Sequence, residues 1–437
     1  MTEKLREVVI TGMALVSPLG DSLETFWQAL AAGRSGVGRL TAVPDGTFPL
    51  SIAAEAHQFR GDIEDFGPLA KEQKKAIRKG LKVMCRECQM GVAVAQKALS
   101  HAALAPGDFA PERTGVAFGS DYMLTLADDF TEGVVQCLTD DGQFDATRWP
   151  VDGLPKMSPL WLLKYLPNMP ASHIAIYNDL RGPNNSLTLR EAVANVAVGE
   201  AYQAIARDRA EVMIAGATGT RLHPMKMIHV IQNEELARGD LPPDKACRPF
   251  DLNRSGMVLG EGAGALVLEE QSHARRRGAA VFGKVLGAAS SASVGPKLVA
   301  RRGEAIATAL QTVLKSSGLT ADQIGHIQAH GLATRQSDQE EAQAIWRVFR
   351  ERSQAVPVTA AKSYFGNLGA GSGIVELIAG ILSLHHQTLF PVLNFETPDP
   401  ECPIRVVVDR GQPPGDSLLN VSVTPQGQAS AAIVQAV

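Results

Sequence analysis

A carboxylate stands where the local sequence would place an acyl-transfer nucleophile. Residues 180–184 contain a Gly-Pro turn that cannot continue a helix, and residues 186–189 alternate as a buried strand would. From Glu191 a run of small apolar residues predicts a helix buried in the middle of a domain. A tight turn from a strand into such a helix places its first residue among free backbone N–H groups, where enzymes seat a nucleophile. Glu191 is an unusual residue for that position.

Two later stretches also carry polar residues where predicted strands end. Residues 324–330 read as a strand that ends at His330, and residues 356–361 lead through Lys362 to Asn367. An apolar helix is predicted over 374–384. Because each half of the chain carries a strand, a glycine turn and a small-residue helix, we interpret the sequence as an internal duplication of one α/β unit.

Composition restricts the class of protein and its partners. The 437 residues are 45% apolar but only 5% aromatic, which favours helices packed closely on a parallel sheet over a β-sandwich. There are 42 basic and 46 acidic residues, and this balance gives no indication of nucleic-acid binding. The N-terminus lacks the apolar run of a signal peptide, and no window approaches the ~18 apolar residues of a membrane span. A cytoplasmic protein is therefore predicted.

One helical pattern, residues 71–101, contains two further candidate features. Cys85 and Cys88 form a single C-x-x-C without a second pair, so they are predicted to be ordinary buried or surface thiols, and no metal site is predicted. The five scattered cysteines are typical of a reducing compartment. The pattern begins with a basic run, and most such runs are solvated helix faces.

Motifs along nearly the whole chain resemble those of the β-ketoacyl-[acyl carrier protein] synthases of the elongating, type II kind. They are residues 8–12, 16–20, 168–169, 182–184, 215–216, 248–251 and 259–269, Ala329-His330-Gly331 with Asp338 and Glu341, and Lys362 through Glu376. So many motifs in the family's order are more specific than one short motif. The resemblance implies an α/β, duplicated thiolase-like fold, layered α-β-α-β-α, with an N-terminal half over 1–270 and a C-terminal half over 271–437.

The resemblance also implies roles for the candidate residues. In the family, a Cys on the elbow holds the acyl chain as a thioester, and two polar residues drive malonyl decarboxylation and stabilise the enolate. By register, Glu191 occupies the nucleophile position, while His330 and Asn367 occupy the two polar positions. Lys362 and Glu376 correspond to a buried ionic pair behind the site, which is either catalytic support or purely structural.

Three departures from the family pattern weaken the condensation reaction. Glu191 replaces the Cys, and a mixed anhydride of its carboxylate with a fatty acyl chain would hydrolyse readily. Leu332 stands where Thr is usual, and Pro425 removes a backbone donor from the stretch that replaces the family's Gly-Phe-Gly-Gly loop. Asn367 replaces a His, as in the priming synthases and plant polyketide synthases, and can still donate to an enolate oxygen.

Three functions remain open. The favoured one is a non-condensing subunit similar to the chain-length factors, which keep the fold and dimer face but lack the Cys. The second is a malonyl-carrier decarboxylase that uses His330 and Asn367. An ionised Glu191 would repel the malonyl carboxylate by several kcal/mol at roughly 4 Å, whereas a protonated Glu191 would not. In the third, Glu191 is a general base, paired with His330, for another reaction of a carrier-bound acyl chain.

The expected partners follow from the same resemblance. Lys71, Lys74 and Lys75 correspond to the segment that grips the acidic acyl carrier protein. A homodimer, or a heterodimer with a Cys-containing ketosynthase, is expected. No cofactor is expected, because the substrates would be carried on the phosphopantetheine of the carrier protein.

Overall fold

The computed structural model describes residues 5–105, 107–237 and 241–437 of the chain. The strands are β1 Val8–Val16, β2 Gly38–Arg39, β3 Ile52–Ala53, β4 Thr114–Ser120, β5 Asn184–Thr188, β6 Val212–Thr220, β7 Glu261–Glu270, β8 Gly283–Ala292, β9 His326–Gln328, β10 Pro357–Thr359, β11 Arg405–Val406, β12 Ser417–Val423 and β13 Gln428–Gln435. The α-helices are α1 Leu23–Ala32, α2 Lys71–Gly80, α3 Arg86–His101, α4 Asp128–Gln136, α5 Met169–Asn178, α6 Val193–Ala206, α7 Pro224–Asn233, α8 Gln271–Arg276, α9 Arg302–Ser317, α10 Arg335–Phe349, α11 Lys362–Phe365 and α12 Ser372–His385. Within these ranges, no helix has the length and apolar character needed to cross a membrane.

The sheet repeats one strand order on its two sides. From the middle outward, one side runs β1-β7-β6-β4-β5 and the other runs β8-β13-β12-β9-β10, with β11 added at the edge. On each side the three outer strands run parallel to one another: β6, β4 and β5 on one side, and β12, β9 and β10 on the other. The strands nearer the middle pair in antiparallel fashion. The predicted duplication is confirmed. The prediction of a parallel sheet holds only for the outer strands, because the closing strand of each half, β7 or β13, runs antiparallel to both of its neighbours.

The helices form three layers with strands between them. The central pair, α6 and α12, shares a buried core with strands of both halves. On the outside, α3 and α5 cover the first-half strands, and α9 and α10 cover the second-half strands. This is the expected α-β-α-β-α thiolase-like fold. The division of the chain into 1–270 and 271–437 stays a prediction.

Small residues bring the two central helices together. A Cβ added to Gly373 of α12 would lie 3.0 Å from the Cβ of Ala194 in α6, so a larger residue at either position would push the helices apart. The first turn of α6 follows Glu191 directly, and Glu376 lies one turn after Gly373. Close packing of small residues therefore sets the spacing of α6 and α12, and with it the spacing of Glu191 and Glu376.

The single helix predicted over residues 71–101 is divided into two. Gly80 ends α2, a short 3-10 turn follows at Leu81–Val83, and α3 begins at Arg86. A side chain at position 80 would collide with Tyr177, because a Cβ there would lie 1.8 Å from the tyrosine hydroxyl oxygen. The chain turns where glycine permits this close approach, which the apolar periodicity does not reveal.

Candidate active site

The elbow between β5 and α6 places Glu191 in a buried, tightly turned position. Residues Arg190–Ala192 form one turn of 3-10 helix that leads into α6. Arg190 has a φ of 48°, in the left-handed region that favours glycine, so the surrounding structure must hold this turn in place. The Glu191 side chain is only 1% exposed. The predicted burial of β5 is wrong, because β5 is the last strand of the sheet and its residues are exposed or half-buried.

Two arginines enclose the Glu191 carboxylate. The guanidinium of Arg221, also 1% exposed, forms an ion pair and hydrogen bond with Oε1 of Glu191. The Nε of Arg190 lies 3.5 Å from Oε2, a charge contact without a hydrogen bond. Glu234 completes the cluster, because its Oε1 accepts from Arg190 Nη2 at 2.7 Å and from Arg221 Nη1 at 3.4 Å. Two carboxylates thus balance two guanidinium groups inside the protein.

The arginines hold Glu191 in its charged form. Burial by itself would raise the pKa of Glu191, but the charges of Arg221 and Arg190 outweigh burial and lower the pKa far below that of an ordinary glutamate. The carboxylate is therefore ionised at neutral pH. A protonated Glu191, which would resemble glutamine, does not fit this environment.

Asn367 is oriented entirely by its neighbours. Its amide nitrogen donates to Oε1 of Glu191 at 3.1 Å and lies 3.4 Å from the sulfur of Met257. Its amide oxygen accepts from the Gly369 N–H at 3.0 Å and from the Ser372 hydroxyl at 3.1 Å. The amide group that could stabilise an enolate is thus already engaged by Glu191.

His330 follows β9 and contacts the buried Lys362. The Lys362 ammonium lies 3.1 Å from Nδ1 of His330, donates to the His330 carbonyl oxygen at 2.8 Å, and forms an ion pair with Glu376. Because an ammonium group only donates, Nδ1 acts as the acceptor and Nε2 carries the proton of the neutral ring. Burial, followed by the positive charge of Lys362, lowers the pKa of His330 well below its usual value.

A pair of buried carboxyl groups fixes the loop that carries His330. Glu341 accepts from the backbone N–H groups of His330 and Gly331 at 2.7 and 2.8 Å. Asp338 accepts from the N–H groups of Leu332 and Phe250 at 2.9 and 2.8 Å. Both side chains project from the first two turns of α10, so this helix positions the histidine loop.

The neutral state of His330 predicts that this side chain contributes less to stability in acid. The unfolded chain takes up a proton as the pH falls through about 6.5, whereas the native imidazole stays neutral to a much lower pH. The contribution of His330 to the free energy of unfolding should therefore decrease below pH 6.5, by up to about 2 kcal/mol at pH 5. We expect His330→Gln to show a smaller decrease between pH 7 and pH 5 in urea unfolding. His57→Gln, at a side chain that is 64% exposed, is the control. An unchanged pH dependence in His330→Gln would contradict the neutral assignment.

A cleft of about 250 Å³ leads to His330 from the surface. Thr424 and Pro425, from the turn between β12 and β13, line one wall, and Leu332 and Glu234 line others. The turn is closed by the N–H of Thr424, which donates to the Gln428 carbonyl oxygen at 2.8 Å. Each of the sequence departures at Leu332 and Pro425 therefore lies beside the cleft.

The sequence did not reveal the arginine cluster. Arg221 directly follows β6, a strand that is otherwise small and apolar, and Arg190 precedes Glu191. An arginine at the end of a buried strand is itself a signal, because a buried charge requires a partner of opposite sign. Glu234, at the end of α7, carries no comparable signal, since most glutamates at helix ends are solvated.

The basic segment lies on α2, separate from the cleft residues described above. Lys71 and Lys75 are exposed, and Lys74 is half-buried and forms an ion pair with Glu64 at 3.0 Å. Two of the three predicted carrier-binding lysines are therefore free of ion pairs in the described part of the chain.

Two family models match the chain. The N-terminal domain of β-ketoacyl synthase matches residues 5–274, and the C-terminal domain matches residues 282–396. The chain therefore belongs to the β-ketoacyl synthase family.

Relatives match along nearly the full length. A 3-oxoacyl-[acyl-carrier-protein] synthase 2 of Coxiella burnetii is 31% identical over 406 residues, 92% of this chain and 91% of that protein. A putative polyketide beta-ketoacyl synthase 1 of Streptomyces halstedii is 32% identical over 407 residues, with the same coverage. Among solved structures, the ishigamide ketosynthase/chain length factor matches with a TM-score of 0.82 and 25% identity, and a β-ketoacyl synthase from Burkholderia phymatum with 0.84 and 27%. Each match covers 99% of this chain and 100% of the other.

Proposed function

We propose that this chain is a non-condensing subunit, similar to a chain-length factor, that pairs with a Cys-containing ketosynthase in the synthesis of carrier-bound fatty acyl or polyketide chains. The observation that carries the proposal is the buried ion pair of Glu191 with Arg221 at the nucleophile position. The likeness to a ketosynthase/chain length factor structure supports it.

The ion pair argues against two chemical roles for Glu191. A carboxylate bound by a guanidinium group is a weak nucleophile, and the anhydride it would form is labile to water. A general base works best when its pKa lies near the working pH, but Arg221 and Arg190 hold the pKa of Glu191 far below that range. The hypothesis of a Glu191/His330 acid–base pair therefore has little support.

Malonyl-carrier decarboxylation is the alternative that retains a chemical basis. The two arginines offset the repulsion between Glu191 and a malonyl carboxylate, and neutral His330 can donate from Nε2 to an enolate oxygen. The second donor that the enolate would need, the Asn367 amide nitrogen, already donates its hydrogen bond to Glu191. Loss of one such donor costs about 10²–10³ in rate. We therefore place decarboxylation second.

An apolar surface supports the pairing with a second subunit. β5 forms one edge of the sheet, and Ile176 on the neighbouring α5 is 69% exposed. The segment before α5 exposes further large apolar side chains, at Val135, Phe144, Val151, Leu154, Leu160 and Leu162. Exposed apolar groups in this number are typical of a protein–protein interface, and a free sheet edge can pair with another strand.

Reconstitution with a ketosynthase tests the proposal. The chain should be co-expressed with a Cys-containing ketosynthase of the same organism and supplied with acyl-carrier and malonyl-carrier protein. We expect a one-to-one complex that elongates the acyl chain, and no elongation by either protein alone. Ile176→Asp should weaken the complex, whereas Leu298→Asp, at a residue that is 89% exposed in another segment, should not. Elongation by this chain alone would contradict the proposal.

Carrier binding is proposed to depend on the exposed lysines of α2. We expect Lys71→Glu with Lys75→Glu to weaken binding of the acyl carrier protein about tenfold or more, because each reversal replaces an attraction to the acidic carrier with a repulsion. Fluorescence anisotropy at low and high salt would measure this loss, which should shrink as salt screens the charges. The control is Arg275→Glu with Arg276→Glu, a basic pair exposed on α8. Equal losses in both double variants would refute a specific role for α2.

A further inference from the structure

Three sulfur atoms meet at the beginning of α3. Cys85 precedes the helix and Cys88 lies in its first turn. The Sγ atoms of these cysteines are 3.6 Å apart, and the Sδ of Met123 lies 3.7 Å from Cys85 Sγ and 4.0 Å from Cys88 Sγ. The third sulfur comes from the loop after β4, 35 residues from Cys88. The C-x-x-C pair is therefore completed by a donor that the cysteine spacing does not indicate.

The triangle of sulfurs has the size of a three-coordinate metal site. A point equidistant from the three atoms lies about 2.2 Å from each, as follows from the three separations, and metal–thiolate bonds are of this length, about 2.3 Å for zinc. Thiolate and thioether donors without oxygen or nitrogen favour soft ions such as Cu(I). Within the described ranges, no group of three His, Cys, Asp or Glu side chains could hold a metal ion, so the thioether makes this site distinct.

The surroundings are compatible with an ion at this position. Cys88 is fully buried and Met123 is 8% exposed, whereas Cys85 is partly exposed and offers a path from solvent. The two charged residues between the cysteines are already paired, Arg86 with Glu261 and Glu87 with Lys226.

We propose that Cys85, Cys88 and Met123 form a binding site for one soft monovalent metal ion of the Cu(I) class. Two metal–thiolate bonds form as the two thiol protons leave to solvent, the thioether donates a lone pair, and no electron is transferred. The site uses none of the residues of the elbow or cleft, so it is independent of the proposed subunit function.

Anaerobic titration of the purified full chain with Cu(I), against a colorimetric Cu(I) chelator, tests this site. We expect one ion bound per chain, with an affinity that falls about tenfold in Met123→Leu and more in Cys88→Ser. Cys402→Ser, at another buried cysteine, should bind as the unaltered protein does. X-ray absorption should find three sulfur neighbours at about 2.2–2.3 Å from the metal.

Two results would overturn the site. If Met123→Leu bound Cu(I) as tightly as the unaltered chain and kept the same absorption spectrum, the ion would be held by an ordinary dithiol. If the protein isolated from cells under thiol-trapping conditions carried a disulfide between Cys85 and Cys88, the pair would be a redox couple. Circular dichroism of each variant, compared with that of Cys402→Ser, would show whether lost binding reflects lost folding.

Discussion

Replacement of Arg221 with methionine is expected to destabilise the protein by about 3–5 kcal/mol, because the buried Glu191 carboxylate would lose its principal counter-ion. The Nε of Arg190 would remain 3.5 Å from the Glu191 carboxylate, but Arg190 already forms an ion pair and hydrogen bond with Glu234. Urea unfolding, monitored by circular dichroism, would report the loss as a lower midpoint with an unchanged slope. Removing one partner of a buried pair costs more than removing both, so Arg221→Met combined with Glu191→Met should recover a large part of the lost stability.

An exposed ion pair provides the matched control. Arg39 and Asp45 form a salt bridge whose side chains are 72% and 73% exposed, and Arg39→Met should change the stability by less than about 1 kcal/mol. If Arg221→Met were no more harmful than Arg39→Met, Glu191 would not be held as a buried anion. The assignment of Glu191 as a structural ion-pair partner would then fail.

Glu191→Cys is expected not to confer condensation, although it places a Cys at the position that we propose corresponds to the family's nucleophile. The change leaves Arg221 and Arg190 with only Glu234 to balance them, and the introduced thiol would lie at a site that is 1% exposed. Pro425 still lines the cleft without a backbone N–H to offer an oxyanion. Intact-protein mass spectrometry after incubation with acyl-carrier protein should detect no acyl adduct, and elongation should stay at least about a thousandfold below that of a Cys-containing ketosynthase.

A double variant separates the reasons for this failure. In Glu191→Cys with Arg221→Ala, one guanidinium is removed and space opens beside the thiol, so acylation should become detectable while condensation should not. That pattern would indicate that the turn between β12 and β13 matters independently of the elbow. Efficient condensation by the single variant would contradict the view that the site has been rebuilt around an ion pair.

Much of the fold could be predicted from the sequence because it depends on patterns of apolar and small residues. The small-residue helix predicted after Glu191 corresponds to the central α6. The repeated strand-turn-helix pattern of the sequence corresponds to the strand order that the two sides of the sheet share. The break at Gly80 and the exposure of β5 were not predicted. Both depend on tertiary neighbours, namely the hydroxyl of Tyr177 and the position of β5 at the sheet edge.

The site could be predicted in part, for a different reason. Glu191, His330, Asn367, Lys362 and Glu376 were identified by register with a family, and the structure brings Asn367 to Glu191 and Lys362 to both His330 and Glu376. Their roles remain proposals. The protonation state of Glu191 could not be predicted, because it depends on Arg221, which is 30 residues away in sequence and reaches the elbow only through the fold.

The most direct test of the central claim is the release of carbon dioxide from malonyl-carrier protein by the purified chain alone. With Glu191 held as an anion and Asn367 bound to it, we expect no release above the rate of the carrier in buffer, and no difference between the unaltered chain and His330→Ala. Release above that background, abolished by His330→Ala, would show that the chain is a decarboxylase and would contradict a purely non-condensing subunit.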